Sequence, residues 1–291
     1  MNNYNKKWIY LFILSIIWGS SYILIKKSLE GLTPLQVGSL RVVFTTLTLL
    51  IIGYPTIKKV PKKKWKWIIL TGYIGSFFPS FLFAFAQTEI DSGITAILNS
   101  LTPLATLVIG LCFFKLIINK KQVSGIIIGL IGSGLLVLES SSINPEQNYF
   151  FVGLILVAST FYAISLNMLK VHLQDVSPVA IALGNFLCIL PPSILVLFFS
   201  GFENINFSVK QVQISIVYVV ILSIVGSAFA KIVFNKLVQI SSPIFASSIT
   251  YTLPVVALIW GVLDGEVMNI NQILAALIIL LGVYLSNKKS N

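Results

Sequence analysis

The chain has 291 residues, of which 56% are hydrophobic and only 10% are charged, and its formal net charge is +11. Soluble globular proteins carry about 25% charged residues, so this composition excludes an ordinary water-soluble enzyme. A membrane-spanning helix takes about 20 apolar residues, so ten crossings use roughly 200 positions and leave no room for a separate soluble catalytic domain.

Ten apolar segments follow one another along the chain, and each is long enough to predict a membrane-spanning helix. They cover residues 8–27, 35–54, 66–88, 93–114, 122–138, 150–170, 179–200, 211–235, 244–263 and 272–287. The first segment follows a basic stretch but lacks a small-x-small cleavage site, which predicts a retained helix rather than a signal peptide. The predicted fold class is an all-α membrane protein with ten transmembrane helices.

The distribution of charges predicts the orientation, because Lys and Arg concentrate in cytoplasmic loops. With the N-terminus inside, the cytoplasmic connections carry Lys6, Lys7, Lys58, Lys59, Lys62, Lys63, Lys64, Lys66, Lys115, Lys120, Lys121, Lys170, Lys231, Lys236, Lys288 and Lys289. All acids except Asp175 lie on the opposite side. We therefore expect a multi-pass protein of the cytoplasmic (inner) membrane with both termini cytoplasmic, and the basic excess does not indicate nucleic-acid binding.

The two halves of the chain resemble each other, which predicts an internal repeat over residues 1–143 and 144–291. A shift of 144 places Lys26 on Lys170, Pro34 on Pro178 and Trp18 on Tyr162, and a shift of 151 places Gly75 on Gly226, Pro103 on Pro254 and Gly110 on Gly261. Each half holds five predicted spans, so the second half is expected to be inverted relative to the first. Inverted repeats around a midplane site are typical of secondary transporters.

Short motifs in these positions resemble a known family. They are Trp18-Gly19-Ser20-Ser21-Tyr22 in the first span, Pro34 with Arg41 in the second, a Pro with a downstream Gly in each half, and Gly265-Glu266, Gln272 and Gly282 near the end. The chain resembles an EamA-type member of the drug/metabolite transporter superfamily. The resemblance implies ten helices, an inverted repeat and export of metabolites or drugs. In the first half Phe114-Lys115 stands in place of the family's Gly-Glu, so that glutamate has no counterpart there.

Polar side chains inside the spans indicate the transport pathway, because an unsatisfied polar group in hydrocarbon is costly. In the eighth span a stripe recurs every four residues, and its repeat mates in the third span are also small or polar. The stripes are Ser223, Ser227, Lys231 and Asn235, and Gly72, Ser76, Ser80 and Ala84. Aromatic side chains at mid-membrane depth can stack on a flat substrate. The candidate substrate-binding residues are Trp18, Tyr22, Ser76, Ser80, Asn99, Tyr162, Ser227, Lys231 and Tyr251.

Each of these features also has a purely structural interpretation. Small residues permit close helix packing, and aromatic residues fill cores. Lys231 either extends to the cytoplasm or meets a substrate carboxylate. Arg41 either extends outward or caps another helix, and the family resemblance favours a structural role. The acids at the outer ends, including Asp264 and Glu266, are interpreted as solvated.

No cofactor, metal site or catalytic group is predicted. Cys112 and Cys188 lie inside apolar runs, and the lone His172 has no second ligand nearby. The Gly125-x-x-x-Gly129 pattern lies inside a span and predicts a helix-packing face rather than a nucleotide-binding loop.

The sequence therefore predicts a secondary transporter, not an enzyme, that moves a small organic metabolite by alternating access and exports it. The metabolite is expected to be an amino acid or an amphipathic compound. The alternatives are an exchanger of phosphorylated or sugar-linked metabolites and, from another class, a non-transporting membrane scaffold or receptor. The expected partners are a small-molecule substrate and the lipid bilayer, with no nucleic acid, and the sequence does not indicate the oligomeric state.

Overall fold

The computed structural model describes residues 3–114, 120–143, 147–241, 243–266 and 268–287, and within these ranges its regular secondary structure is helical. The α-helices are α1 (Asn3–Ser28), α2 (Pro34–Ile57), α3 (Trp65–Gly72), α4 (Phe78–Ala86), α5 (Ser92–Asn99), α6 (Thr102–Phe114), α7 (Lys120–Ile143), α8 (Val152–His172), α9 (Pro178–Phe199), α10 (Lys210–Ile221), α11 (Ala230–Ile240), α12 (Pro243–Ser247), α13 (Leu253–Leu263) and α14 (Ile270–Asn287). Lys115, Glu146, Lys288 and Lys289 lie outside the described residues.

Eight helical stretches within the described ranges are long and apolar enough to cross a membrane. They are Asn5–Ser28, Pro34–Ile57, Lys62–Ala86, Ser92–Phe113, Tyr149–His172, Pro178–Phe199, Lys210–Ile240 and Phe245–Leu263. Val123–Glu139 and Ile270–Gly282 are shorter apolar helical stretches at the positions of the fifth and tenth predicted segments. The chain is a multi-pass membrane protein.

Two continuous rods are each interrupted by a π-helical segment. Tyr73–Phe77 joins α3 to α4, and Leu222–Phe229 joins α10 to α11. The shift of 151 places residues 73–77 on residues 224–228, so the two interruptions occupy equivalent positions in the two halves. Such π-turns widen the helix locally and leave carbonyl groups available to other partners.

Three prolines each occupy the second position of a helix that begins after an irregular segment. Pro79 and Pro254 are the second residues of α4 and α13, and Pro103 is the second residue of α6. Each helix follows a π-helical, 3-10 or turn segment, because proline lacks an N–H and its ring clashes with the preceding turn.

The two halves interlock through one helix from each. Helix α1 packs against α10, α11 and α13 of the second half, and α8 packs against α3, α4, α5 and α6 of the first half. Equivalent helices also pair directly, α2 with α9 and α7 with α14. This exchange brings residues from both halves to a common centre.

The α7–α14 pair confirms the predicted glycine packing face. A Cβ added at Gly282 would meet the backbone of Gly129 and, at 2.7 Å, the carbonyl oxygen of Gly125. At Gly132 it would meet the backbone nitrogen of Ile279 at 2.8 Å. The helices therefore cross at backbone contact, which only glycine permits.

Candidate functional site

A cavity lies at the centre of the helices and has a volume of about 120 Å³. Its walls come from α1, α2, α4, α5, α6, α8, α9, α11, α12 and α13, with both π-segments and the turn before α13. Eight of the nine predicted site residues line it: Trp18, Tyr22, Ser76, Ser80, Asn99, Tyr162, Ser227 and Lys231.

The lining is built from equivalent positions of the two halves. Helices α1 and α8 contribute Trp18 with Tyr162, Ser21 with Ser165, Tyr22 with Leu166 and Ile25 with Leu169. The two interrupted rods contribute Gly75 with Gly226, Ser76 with Ser227, Ser80 with Lys231 and Phe83 with Phe234. Asn99 with Thr250 and Thr102 with Leu253 complete the paired wall. Equivalent positions of the two halves therefore line the cavity, but some of the paired side chains differ in polarity or charge.

The π-segments bring backbone carbonyls to this wall. The carbonyl of Gly226 accepts a hydrogen bond from the Trp18 indole Nε1 at 2.9 Å, and the carbonyl of its mate Gly75 accepts one from Lys231 Nζ at 2.8 Å. A Cβ at Gly226 would meet Ser21 Oγ at 2.8 Å, and one at Gly75 would collide with Ser165 Oγ. Glycine at these positions therefore allows α1 to pack closely on the second π-segment and α8 to pack closely on the first.

Asn99 is the centre of a buried hydrogen-bond network. Its Nδ2 donates to the Tyr22 hydroxyl at 2.7 Å, and its Oδ1 accepts from Ser159 at 3.0 Å and from Thr102 at 3.1 Å. The network fixes the orientation of the Asn99 amide. Because the Tyr22 hydroxyl accepts from Asn99, its own proton points away from Asn99. It joins α1, α5, α6 and α8 beside the cavity.

Aromatic rings form the apolar part of the wall. Trp18 lies against Phe234 with ring centroids 5.0 Å apart. Phe83 stacks on Tyr162 at 5.8 Å and meets the edge of Tyr22 at 6.0 Å. These spacings are those of favourable aromatic pairs, which rigidify the wall.

Two cations face the cavity, and one of them was missed as a site residue. Arg41 lines the wall and donates from Nε to Ser227 Oγ at 2.8 Å, so it does not extend outward. Two features of the sequence point to Arg41 as a site residue. It lies seven residues into a span, and its repeat mate Asn185 is also polar. Lys231 also lines the wall and does not extend to the membrane surface.

Tyr251 is the one predicted site residue that does not line the cavity. Its neighbours Ile249, Thr250 and Leu253 do, whereas Tyr251 lies in the Ser248–Tyr251 3-10 turn, where successive side chains are rotated by about 120°. In the polar stripe, Ser223 and Asn235 likewise pack away from the cavity: Ser223 Oγ donates to the carbonyl of Val219 at 2.6 Å and Asn235 Nδ2 to that of Pro178 at 3.2 Å. Only the central two positions of each stripe reach the wall.

The sequence interpretation was wrong at a charged cluster formed by Lys26, Lys27, Asp264 and Glu266. The Glu266 side chain is only 4% exposed and is not solvated as expected. Its carboxylate accepts from Lys26 Nζ at 2.8 Å, from Ser92 N at 3.0 Å and Oγ at 2.6 Å, and from Gly93 N at 3.1 Å. It therefore caps the N-terminus of α5, where a negative charge is favoured.

The same cluster sets the ionisation of its carboxyls. Burial raises the pKa of Glu266, but the bonds from Lys26, Ser92 and Gly93 outweigh it and hold the pKa below its ordinary value. Burial likewise raises the pKa of Asp264, but the bonds from Lys27 and Lys26 outweigh it and hold that pKa below its ordinary value. Asp91 has its pKa raised by burial and by the charge of Glu266.

The described residues contain no group of three His, Cys, Asp or Glu side chains placed to hold a metal ion. His172 ends α8 and stacks on Trp67, with ring centroids 3.5 Å apart. The chemistry that the central site offers is binding, through hydrogen-bond donors, two cations and aromatic faces.

A model of the EamA-like transporter family matches residues 6–138 and again residues 150–288. The chain belongs to the EamA-like transporter family. The family prediction is confirmed, and the two matched regions are separated by the connection between α7 and α8.

Relatives resemble the chain over nearly its whole length. It is 27% identical to an "Uncharacterized transporter" of Archaeoglobus fulgidus, over 98% of this chain and 99% of that protein. It is 23% identical to the "Probable amino-acid metabolite efflux pump" of Salmonella typhimurium, over 94% and 92%. It is 28% identical to the "Uncharacterized inner membrane transporter YedA" of Escherichia coli, over 94% and 88%.

A solved crystal structure shares the fold. It matches with a TM-score of 0.69 over 95% of this chain and 94% of that one, at 15% identity. At this identity the likeness shows the helical fold alone.

Proposed function

We propose that this protein is a secondary transporter that exports a small organic metabolite, an amino acid or an amphipathic compound, across the cytoplasmic membrane by alternating access. In this proposal residues 1–143 and 144–291 form two inverted five-helix repeats, and the shorter apolar helices within α7 and α14 supply the fifth and tenth crossings. Both termini face the cytoplasm.

The central observation is the paired lining of the cavity. Positions such as Ser76 with Ser227 and Asn99 with Thr250 face the same space from the two halves. When inverted halves exchange conformations, a site at their shared centre opens to the opposite side of the membrane. A scaffold or receptor would not need matched walls around a polar cavity.

Further observations support a small cargo and export. The volume of about 120 Å³ is below the roughly 300–1,000 Å³ of typical ligand pockets, which favours a small metabolite. One relative bears the name of an amino-acid metabolite efflux pump, which supports export of such compounds here. The lysine-rich connections support cytoplasmic termini.

The function can be tested by filling the cavity. Cells producing the wild-type protein should release particular metabolites into the medium faster than cells producing Ser76→Phe at the same membrane level. Ile51→Phe is the matched control, because Ile51 is 87% exposed on the outer face of α2 and should leave release unchanged. Identical extracellular metabolite profiles for wild type and Ser76→Phe would contradict transport through this cavity.

The orientation has a separate test. Green fluorescent protein fused after Asn291 should fluoresce, and alkaline phosphatase fused there should be inactive, because the C-terminus is proposed to be cytoplasmic. The reverse pattern would refute the proposed topology without affecting the cavity assignment.

A further inference from the structure

Two positive charges are brought together at one side of the central cavity. Arg41 of α2 is held by its Nε bond to Ser227 Oγ at 2.8 Å, and Lys231 lies four residues after Ser227. Four helical residues rise about 6 Å, so the two side chains reach the wall about one turn apart. Lys231 Nζ is fixed there by the carbonyl of Gly75 at 2.8 Å.

Neither cation has an acidic partner among the described residues. The ion pairs of those ranges lie at the ends of helices and involve Lys26, Lys27 and Lys64, and the cavity lining contains no Asp or Glu. Arg41 and Lys231 each make one hydrogen bond, which leaves four N–H donors on the guanidinium and two on the ammonium. An unpaired cation inside a membrane protein is costly, so this site is electrostatically incomplete without an anion.

The fold does not need these charges. The repeat mate of Arg41 is the neutral Asn185, which packs by donating to the carbonyl of Ile68 at 2.6 Å and to Thr71 Oγ1 at 2.9 Å. The mate of Lys231 is Ser80, which donates to the carbonyl of Ser76 at 2.7 Å. Because neutral side chains suffice at the equivalent helix contacts, the two charges serve what enters the cavity.

The rest of the wall suits an apolar body and offers an ammonium group no carboxylate. Trp18 and Phe234 form one aromatic face, and Phe83 with Tyr162 forms another. The Oδ1 of Asn99 already accepts two hydrogen bonds, and the indole N–H of Trp18 is committed to a backbone carbonyl. The polar groups left open are mainly donors.

We propose that the cavity binds a small organic carboxylate of net negative charge, with its carboxylate between Arg41 and Lys231 and its apolar body against the aromatic faces. This inference rests on the proposed transport function and narrows its substrate class. A zwitterionic amino acid brings an ammonium group that two cations repel. A phosphorylated sugar is larger than the cavity favours.

Ligand-induced thermal stabilisation of the purified full-length protein tests the charge preference. One set of probes shares a phenyl body: 3-phenylpropionate, 3-phenylpropionamide, 2-phenylethylamine and L-phenylalanine. A second set shares a short alkyl body: butyrate, butyramide, propylamine and 2-aminobutyrate. Glycerol 3-phosphate is added as the phosphorylated probe. The carboxylates should raise Tm at lower concentrations than every other member of their set, whichever body fits better.

Variants assign the preference to the two cations. Arg41→Gln and Lys231→Met should each weaken carboxylate binding about tenfold or more, because each removes a charge-assisted bond. Arg41→Lys and Lys231→Arg should retain part of it. Lys62→Gln is the matched control, since it removes an exposed positive charge outside the cavity. Without ligand, Lys231→Met should still unfold in one cooperative thermal transition, which shows that the variant is folded.

The remaining outcomes overturn the inference. Equal or stronger binding of the amides, amines, amino acids or glycerol 3-phosphate contradicts a carboxylate site. So does the absence of any rise in Tm with either 3-phenylpropionate or butyrate. Unchanged carboxylate affinity in Arg41→Gln and Lys231→Met contradicts the assigned residues. Counterflow in proteoliposomes tests the carboxylate inference and the transport proposal separately. If amino acids or amines are carried and carboxylates are not, the carboxylate inference fails and the transport proposal stands. If carboxylates bind but no probe is carried, the site stands and transport fails.

Discussion

Lys26 and Glu266, 240 positions apart in the chain, form an ion pair with Nζ and Oε1 2.8 Å apart. Lys26 lies about one helical turn beyond Tyr22, which lines the central cavity. Because Glu266 also caps α5 through Ser92 and Gly93, this one carboxylate ties together α1, α5 and the α13–α14 connection. Any movement that separates these elements has to break the ion pair and the helix cap.

The opposite half uses different chemistry at the equivalent place. Lys170, the repeat mate of Lys26, donates to the carbonyls of Val238 at 3.1 Å, Gln239 at 3.4 Å and Ser241 at 2.6 Å. A cation at a helix C-terminus is stabilised by the exposed carbonyl groups. The sequence position equivalent to Glu266 is Lys115, so the first half cannot supply the matching acid.

A double-mutant cycle on Lys26→Met and Glu266→Gln should show strong coupling. Lys26→Met leaves the buried Glu266 carboxylate without its cation, and Glu266→Gln leaves Lys26 with Asp264 alone, at 3.1 Å. The double variant removes both members of the pair. We expect a coupling free energy of about 1–3 kcal/mol in the unfolding of the detergent-solubilised protein. Denaturation in SDS, followed by the helical circular dichroism signal, measures it.

The Lys64–Asp175 pair is the control for this cycle. Its atoms are also close, at 2.6 Å, but the Asp175 side chain is 59% exposed. Solvent-exposed pairs contribute about 0–1 kcal/mol, so its coupling should be clearly smaller. Equal coupling in the two pairs would show that burial of Glu266 does not strengthen its ion pair.

The charged cluster also predicts a pH dependence of stability. The folded-state pKa of Glu266 lies below its ordinary value, so the unfolded chain takes up the proton first as pH falls. The stabilisation is complete above the unfolded pKa and is lost as pH falls through the folded one, and Tm should therefore decline from roughly pH 5 downward. Glu266→Gln should show a shallower decline over the same range; identical slopes would remove Glu266 as a cause.

Glycine substitutions should separate helix packing from helix propensity. Gly282→Ala adds a Cβ against the backbone of Gly125 and Gly129, and overpacking of this kind costs about 1–3 kcal/mol. Gly134→Ala, in α7, adds a Cβ where nothing lies within 4 Å, and should be neutral or stabilising by up to about 1 kcal/mol. Thermal unfolding of both purified variants tests this, and a Tm for Gly282→Ala at or above that of Gly134→Ala would refute backbone contact between α7 and α14.

Hydropathy and repeat spacing predicted much of the fold and part of the site. Ser76 with Ser80, and Ser227 with Lys231, could each be placed on one helix face, because a four-residue spacing is local information. Arg41 was not assigned to that wall, because its direction is set by Ser227, which is 186 positions away.

The errors at Tyr251 and Glu266 have similar causes. The 3-10 turn before α13 rotates Tyr251 out of the helical register that its sequence position suggests. Glu266 follows a predicted span, so from the sequence it was interpreted as a solvent-exposed acidic residue in a loop. In the structure it is buried against the N-terminus of α5. The hydrophobic periodicity of a sequence reveals neither contacts between distant residues nor local changes of helix type.

The two cavity tyrosines should respond differently to loss of the hydroxyl. The Tyr22 hydroxyl accepts the Asn99 Nδ2 bond at 2.7 Å, so Tyr22→Phe leaves a buried donor without a partner and should cost about 1–3 kcal/mol. The structure gives the Tyr162 hydroxyl no hydrogen-bond partner among the described residues, so Tyr162→Phe should change stability by less than about 0.5 kcal/mol. The two substitutions remove the same atom from the same cavity, which makes each the control for the other. Thermal unfolding without ligand measures the difference, and equal losses of stability would mean that the Tyr22–Asn99 bond does not hold α1 to α5.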